Sequence, residues 1–156
     1  MSIDISDYLV PDGVLLGCEA VDANEVIGLL ADHLQKAAIV KPTYGAAVIN
    51  REAIMPTGLP LGDGFAVAVP HTDPEHVISS GVAMATLSKP VMFGSMDDPE
   101  KKIPVSVVFE LALRSKDEQI EMLTAIGQLL QDEGRLRRLS SASSTEEVAS
   151  ILNSTH

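Results

Sequence analysis

The chain has 156 residues, 46% of them hydrophobic, 21% charged and 3% aromatic, with a net charge of -11 and a pI near 4.6. That length suits one domain with its own core, while the acidity repels nucleic-acid or membrane phosphates and the scarcity of aromatics argues against base-stacking platforms. Cys18 is the only cysteine, which removes disulfide frameworks and thiolate zinc sites.

The N-terminus, "MSIDISDYLV", has no basic region leading into an apolar core, and no run approaches the ~20 apolar residues of a membrane span, so a cytoplasmic protein is expected. Further along, "VDANEVIGLLADHLQKAAI" sets Val26, Leu30, Leu34 and Ala37 at helical spacing, with Ile27 alongside. Asp22 or Asn24 can cap this helix, and Lys41-Pro42 stops it. A second helix is expected from Pro42-Thr43 through "YGAAVINREA", ending in the proline- and glycine-rich loop "MPTGLPLGDG". The runs "FAVAV" (65–69), "GVAMATL" (81–87) and "IPVSVVFEL" (103–111) then read as strands, with Phe65, Val67 and Val69 on one face of the first. A short strand near Val91–Phe93 precedes the acidic loop "SMDDPEKK".

The C-terminal third returns to helix. Ser115 with Glu118 and Ser144 with Glu147 are capping boxes, and the short basic helix "EGRLRRLSS" lies between them. The first box opens a helix with Ile120, Leu123, Gly127 and Leu130 on one face; the last helix turns Val148, Ile151 and Leu152 inward. Strands this continuously apolar belong to a sheet covered on both sides. The expectation is a single α/β domain over residues 1–156: three layers, with a mixed β-sheet flanked by helices on both faces.

His71 is the first candidate for chemistry. Pro70 biases Val69 toward extended backbone and cannot donate to a ladder, so the strand can end there. His71 then sits at a strand's carboxyl end, where open α/β sheets hold ligands. A neutral imidazole there can act as a nucleophile, or simply terminate the strand with its ring hydrogen-bonded. Arg51, near the end of the second helix, either complements the helix dipole or clamps a phosphate with its forked donors. Thr57 and Gly58 would add a hydroxyl and backbone N–H groups to such a clamp.

His71, Asp73, Glu75 and His76 could instead ligate a metal in a metal-dependent hydrolase. Their spacing follows no established zinc pattern, and Pro74 interrupts the helix that would align the two rings. No G-x-S-x-G elbow supports a serine hydrolase. Ser79-Ser80 either reach a ligand near His71 or start the next strand. Cys18 is expected to be a small buried residue, and His33 a surface histidine.

The run "REAIMPTGLPLGDGFAVAVPHTDPEHV" resembles the Enzyme IIA component of the sugar phosphotransferase system (PTS), in its fructose/mannitol class, EIIA type 2. That family carries Arg-Glu followed by a Thr-Gly turn, then a strand ending Ala-x-Pro-His; here these are Arg51-Glu52, Thr57-Gly58 and Ala68-Val69-Pro70-His71. The resemblance continues through "IPVSVVFELAL" and "SKDEQIEML". The galactitol-type branch is the most similar, through "PTG", a second histidine at His76, and Gln119 in the later helix. Mannitol- and nitrogen-type relatives commonly hold another active-site histidine where this chain has Gln119, and Thr72 stands where glycine, alanine or cysteine is usual.

The resemblance implies that His71 accepts a phosphoryl group from the phosphohistidine of HPr and passes it to a cysteine of a IIB protein. A membrane IIC protein would then move a galactitol-like polyol or sugar. Arg51, Thr57 and His76 would bind the phosphate; no metal or other cofactor is needed, because the donor is already reactive. The chain carries no IIB-like cysteine loop, so it would act in trans. A regulatory module of the same fold, whose phosphorylation is read by a regulator, is the alternative.

Overall fold

Beneath the site, the sheet is built from strands of very unequal length. The computed structural model describes residues 3–61 and 64–153. In chain order it forms β1 (Leu9–Cys18), α1 (Ala23–Lys36), α2 (Tyr44–Ile54), β2 (Gly58–Pro60), β3 (Ala66–Ala68), β4 (Gly81–Gly94), β5 (Lys102–Ala112), α3 (Lys116–Leu130), α4 (Glu133–Ser140) and α5 (Thr145–Asn153). The five-stranded sheet has the order β1-β4-β5-β3-β2. It is mixed: β1 runs parallel to β4 and β3 parallel to β5, whereas β4–β5 and β2–β3 are antiparallel.

Period-2 alternation splits the core between two faces. Ala66, Ala68, Ala83, Ala85 and Val108 point to one side, where α1 and α2 cover them with Ile27, Leu30, Leu34, Tyr44 and Val48. Val67, Val69, Met84, Val107 and Phe109 point to the other, beneath Met122, Ile126, Leu129, Leu136 and Val148 of α3, α4 and α5. Phe65 packs on this second face with Val67 and Val69, as the alternation of "FAVAV" predicts.

The capping residues act as their spacing implies. Asp22 accepts from the Glu25 N–H at 2.9 Å, Ser115 from Glu118 at 3.1 Å and Ser144 from Glu147 at 3.0 Å. Two strands escape the sequence reading. β1 is an edge strand whose alternation is broken by Pro11, by Asp12 at φ 60° and by Gly17 at φ 62°, and its register against β4 shifts twice. β2 spans only three residues inside the loop "MPTGLPLGDG". The expected strands at 81–87 and 91–93 are one strand, with a register shift between Thr86 and Val91 around the exposed Ser88–Pro90.

The buried face of α3 differs from the expected one. Gln119, Met122, Ile126 and Leu129 point inward, while Ile120 is 63% exposed. Both sets have helical periodicity and lie one residue, or about 100°, apart. A glutamine among the inward positions hides the correct stripe, yet Gln119 is satisfied there by the Thr72 carbonyl, which accepts from its Nε2 at 2.9 Å. Met122→Ala is therefore expected to lower unfolding free energy by about 2–5 kcal/mol. Ile120→Ala should change it by less than about 0.5 kcal/mol; urea denaturation of both variants checks the assignment.

Candidate active site

Val69 leaves β3 into Pro70, and the chain is held to β5 by the Leu111 N–H, which donates to the Pro70 carbonyl at 3.0 Å. His71 follows, half-buried, with Nδ1 2.8 Å from the Val69 carbonyl. A carbonyl can only accept, so Nδ1 carries the hydrogen and Nε2 keeps its lone pair. Burial holds the imidazole pKa below its ordinary 6.5; the Val69 carbonyl opposes this, Arg51 and Lys116 add to the lowering, and Asp73 counters them. The ring is thus neutral at pH 7, as a nucleophile requires.

Val69, whose carbonyl orients His71, is itself held through its N–H by the Arg-Glu and Thr-Gly segments. The Val69 N–H donates to Thr57 Oγ1 at 3.1 Å. Thr57 in turn donates twice to the Glu52 carboxylate, from its N–H at 2.8 Å and its hydroxyl at 2.9 Å. Glu52 is buried and its pKa is raised by burial, against the Thr57 hydrogen bonds and Lys102 that pull it down. The Thr57 hydroxyl, expected from the sequence to bind phosphate, thus donates to one partner and accepts from another, and so positions the histidine strand. Gly58 is likewise structural. It is buried in β2, paired with Ala68, and a Cβ there would lie 2.5 Å from the Gly94 carbonyl oxygen.

Arg51, in the last turn of α2, reaches Asp73 with Nη1 at 3.3 Å from Oδ1. Lys116, the first residue of α3, reaches the same oxygen at 3.3 Å. Lys116 is absent from the sequence-derived site: the capping box announces a helix there, but not that its first turn abuts the histidine loop. Gln119 also belongs to the site, since its bond to the Thr72 carbonyl pins the residue after His71. His76 is engaged elsewhere. Its Nδ1 lies 2.8 Å from Thr43 Oγ1, before the first turn of α2, and no hydrogen bond joins it to His71 or Arg51 among the described residues.

The remaining candidates fall outside the cluster. Among the described residues, no three His, Cys, Asp or Glu side chains converge as a metal site, so His71, Asp73, Glu75 and His76 do not form the alternative ligand set. The Ser80 hydroxyl donates to Glu118 at 2.8 Å and accepts the Arg114 N–H at 3.0 Å. Cys18 ends β1 at the far edge of the sheet and is half-buried instead of buried. His33 is half-buried on α1.

Residues 7–155 match the family described as "Phosphoenolpyruvate-dependent sugar phosphotransferase system, EIIA 2". The chain belongs to this EIIA family. It is 30% identical over 144 residues to the mannitol-specific EIICBA component of Escherichia coli, covering 90% of this chain but only 21% of that relative. It is also 30% identical over 115 residues to the galactitol-specific EIIA component of Escherichia coli, covering 74% of this chain and 75% of that one. Among solved structures, the complex of enzyme IIA-mannitol with phosphorylated enzyme IIB-mannitol from Escherichia coli contains a chain with TM-score 0.75 and 29% identity, covering 92% of this chain and 96% of the other. EIIA proteins of this family are phosphotransferase components.

One acid of this EIIA chain stands apart from the cluster. Glu110, next to the Leu111 that holds Pro70, is fully buried, and neither carboxyl oxygen has a hydrogen-bond partner among the described residues. Burial pushes its pKa well above 4.5, and the negative Glu52 and Asp32 push it the same way. The folded state therefore keeps a proton that the unfolded chain releases above pH ~4.5, and stability falls as pH rises from there through the folded pKa. Glu110→Gln should melt higher than the parent at pH 8, with the difference shrinking toward pH 4.5, in thermal scans across that range. For Thr57→Val, which strips the Val69 N–H and Glu52 of a partner, denaturant unfolding is expected to show a loss of about 1–3 kcal/mol.

Proposed function

We propose that the protein is a phosphocarrier in which His71 Nε2 takes a phosphoryl group from the phosphohistidine of HPr and hands it to a cysteine of a IIB partner, serving uptake of a galactitol-like polyol or sugar. The observation that carries this reading is the bond from His71 Nδ1–H to the Val69 carbonyl, which leaves Nε2 as the free lone pair beside a guanidinium. Transfer of a phosphoryl group needs an aligned nucleophile and positive charge near its equatorial oxygens more than covalent machinery. Nε2 supplies the first and Arg51 the second, while the Val69 carbonyl stabilises the positive ring that forms as Nε2 bonds to phosphorus. His76, with Nδ1 engaged by Thr43, offers only Nε2 to the phosphoryl group.

The surroundings suit a protein donor that binds briefly. Ile54 and Met55 end the helix that carries Arg51, Ile120 follows Gln119, and Met96 is tied to β2 through its N–H to the Gly58 carbonyl; all four are exposed. Met96 also lines a shallow apolar groove with Leu59, Val69, Leu123 and Leu130. Such a patch excludes water around a transferring group without demanding a large, slowly dissociating interface. The galactitol-like assignment is supported by Gln119 in place of a second active-site histidine, and by a relative of similar length that is galactitol-specific.

Incubation with phosphoenolpyruvate, Enzyme I and HPr, read by intact mass, tests the proposal. The parent is expected to gain one acid-labile phosphoryl group and His71→Ala none; Arg51→Met should accept it about 100-fold more slowly. A parent that gains nothing from an active donor, or a His71→Ala variant that is still phosphorylated, would sink the assignment.

A further inference from the structure

Asp73 lies two residues beyond His71 and holds both cations of the site. Its Oδ1 is 3.3 Å from Arg51 Nη1 and 3.3 Å from Lys116 Nζ, and among the described residues neither cation has another carboxylate within 4.0 Å. Both contacts are longer than the ~2.7–2.9 Å of a strong charge-assisted bond. The side chains are 29% exposed for Arg51, 52% for Asp73 and 67% for Lys116, so the carboxylate is a loosely held counterion. Its backbone, by contrast, is fixed on both sides: Gln119 holds the Thr72 carbonyl and the His76 N–H donates to the Asp73 carbonyl at 3.3 Å. Asp73 can therefore swing away by side-chain rotation alone.

Lys116 is also placed against local preference. It is the first residue of α3, where the exposed N–H groups and the helix dipole favour anions and disfavour a cation. Asp117 and Glu118 of the same turn satisfy that preference, and Lys116 does not. Its charge is unfavourable to its own helix and reaches instead toward the histidine loop.

We propose that Asp73 is a resident stand-in for the phosphoryl group, and that Lys116 is the second phosphoryl ligand beside Arg51 once Asp73 turns out. The proposal rests on His71 being the phosphorylated residue. In the transfer, the donor N–P bond breaks with its electron pair remaining on the donor imidazole nitrogen, and the His71 Nε2 lone pair forms the new N–P bond. The phosphoryl oxygens keep their charge, the Nδ1 proton stays against the Val69 carbonyl, and no proton or electron leaves the pair of rings. The incoming dianion outcompetes a single carboxylate for two cations, yet Asp73 stays within reach to reclaim them when the group departs. The carboxylate thereby keeps the phosphohistidine from being over-stabilised, which a carrier that must pass its cargo onward requires.

The test is the equilibrium distribution of phosphoryl groups between phospho-HPr and this protein, followed by intact mass for the parent, Asp73→Asn, Lys116→Met and His71→Ala. Both new substitutions are at exposed side chains, and a thermal melt verifies that each variant is folded. Asp73→Asn should shift the distribution toward this protein by about two- to fivefold, and Lys116→Met away from it by a similar factor, the range an exposed ion pair supports. An unchanged distribution in Asp73→Asn, or a shift toward the donor, would overturn the stand-in, and an unchanged one in Lys116→Met would overturn the second ligand. Either failure with a phosphorylated parent leaves the carrier assignment intact, whereas a parent that accepts nothing at His71 removes both.

Discussion

The backbone of Val69 governs the site. Its N–H is fixed by the Thr57 hydroxyl and its carbonyl fixes the His71 ring, so the two peptide groups that meet at Val69 join a buried acid to a half-buried imidazole. Everything upstream serves that residue: α2 delivers Glu52 to the sheet, Glu52 locks Thr57, and Thr57 stands where β2 begins beside β3. Orientation of the ring is thereby built into the backbone, and no second carboxylate or histidine is needed to choose the tautomer. Burial of β3 between two helical layers keeps this arrangement away from competing water.

The charge distribution follows a similar economy. A chain of net charge -11 sets two of its 11 basic residues at the rim of one histidine, drawn from helices that approach from opposite faces of the sheet. Arg51 sits at the C-terminal end of its helix, where the dipole welcomes it, and Lys116 at the N-terminal end of another, where it does not. Local positive potential in an acidic surface favours anions at that one place while leaving the rest of the molecule repellent to them.

Much of this was legible before folding. Asp22, Ser115 and Ser144 announced their helices because a cap is a local hydrogen bond whose partners lie three residues apart. The two-sided sheet followed from strands without polar alternation, and Pro70-His71 marked the end of the strand that carries the site. What escaped depended on distant partners. Thr57 reads as a free hydroxyl until Val69, 12 residues on, comes to lie beside it. Lys116 meets Asp73 across 43 residues of chain, and no spacing rule links them. The inward stripe of α3 was misassigned by one position because Gln119 counts as polar in a periodicity, although inside the fold it is a satisfied core residue. β1 was hidden by the irregularities that bend it.

That glutamine has a kinetic corollary. The loop bearing His71 carries no helix of its own beyond a single turn at Pro74–His76, and its tie to the C-terminal layer runs through the first turn of α3. Helix ends fray far more readily than strand interiors open. Unwinding of that turn would take its partner from the Thr72 carbonyl and carry Lys116 off with it. The deep sheet below can stay closed throughout, and the protein can re-form its reactive surface without ever unfolding its core.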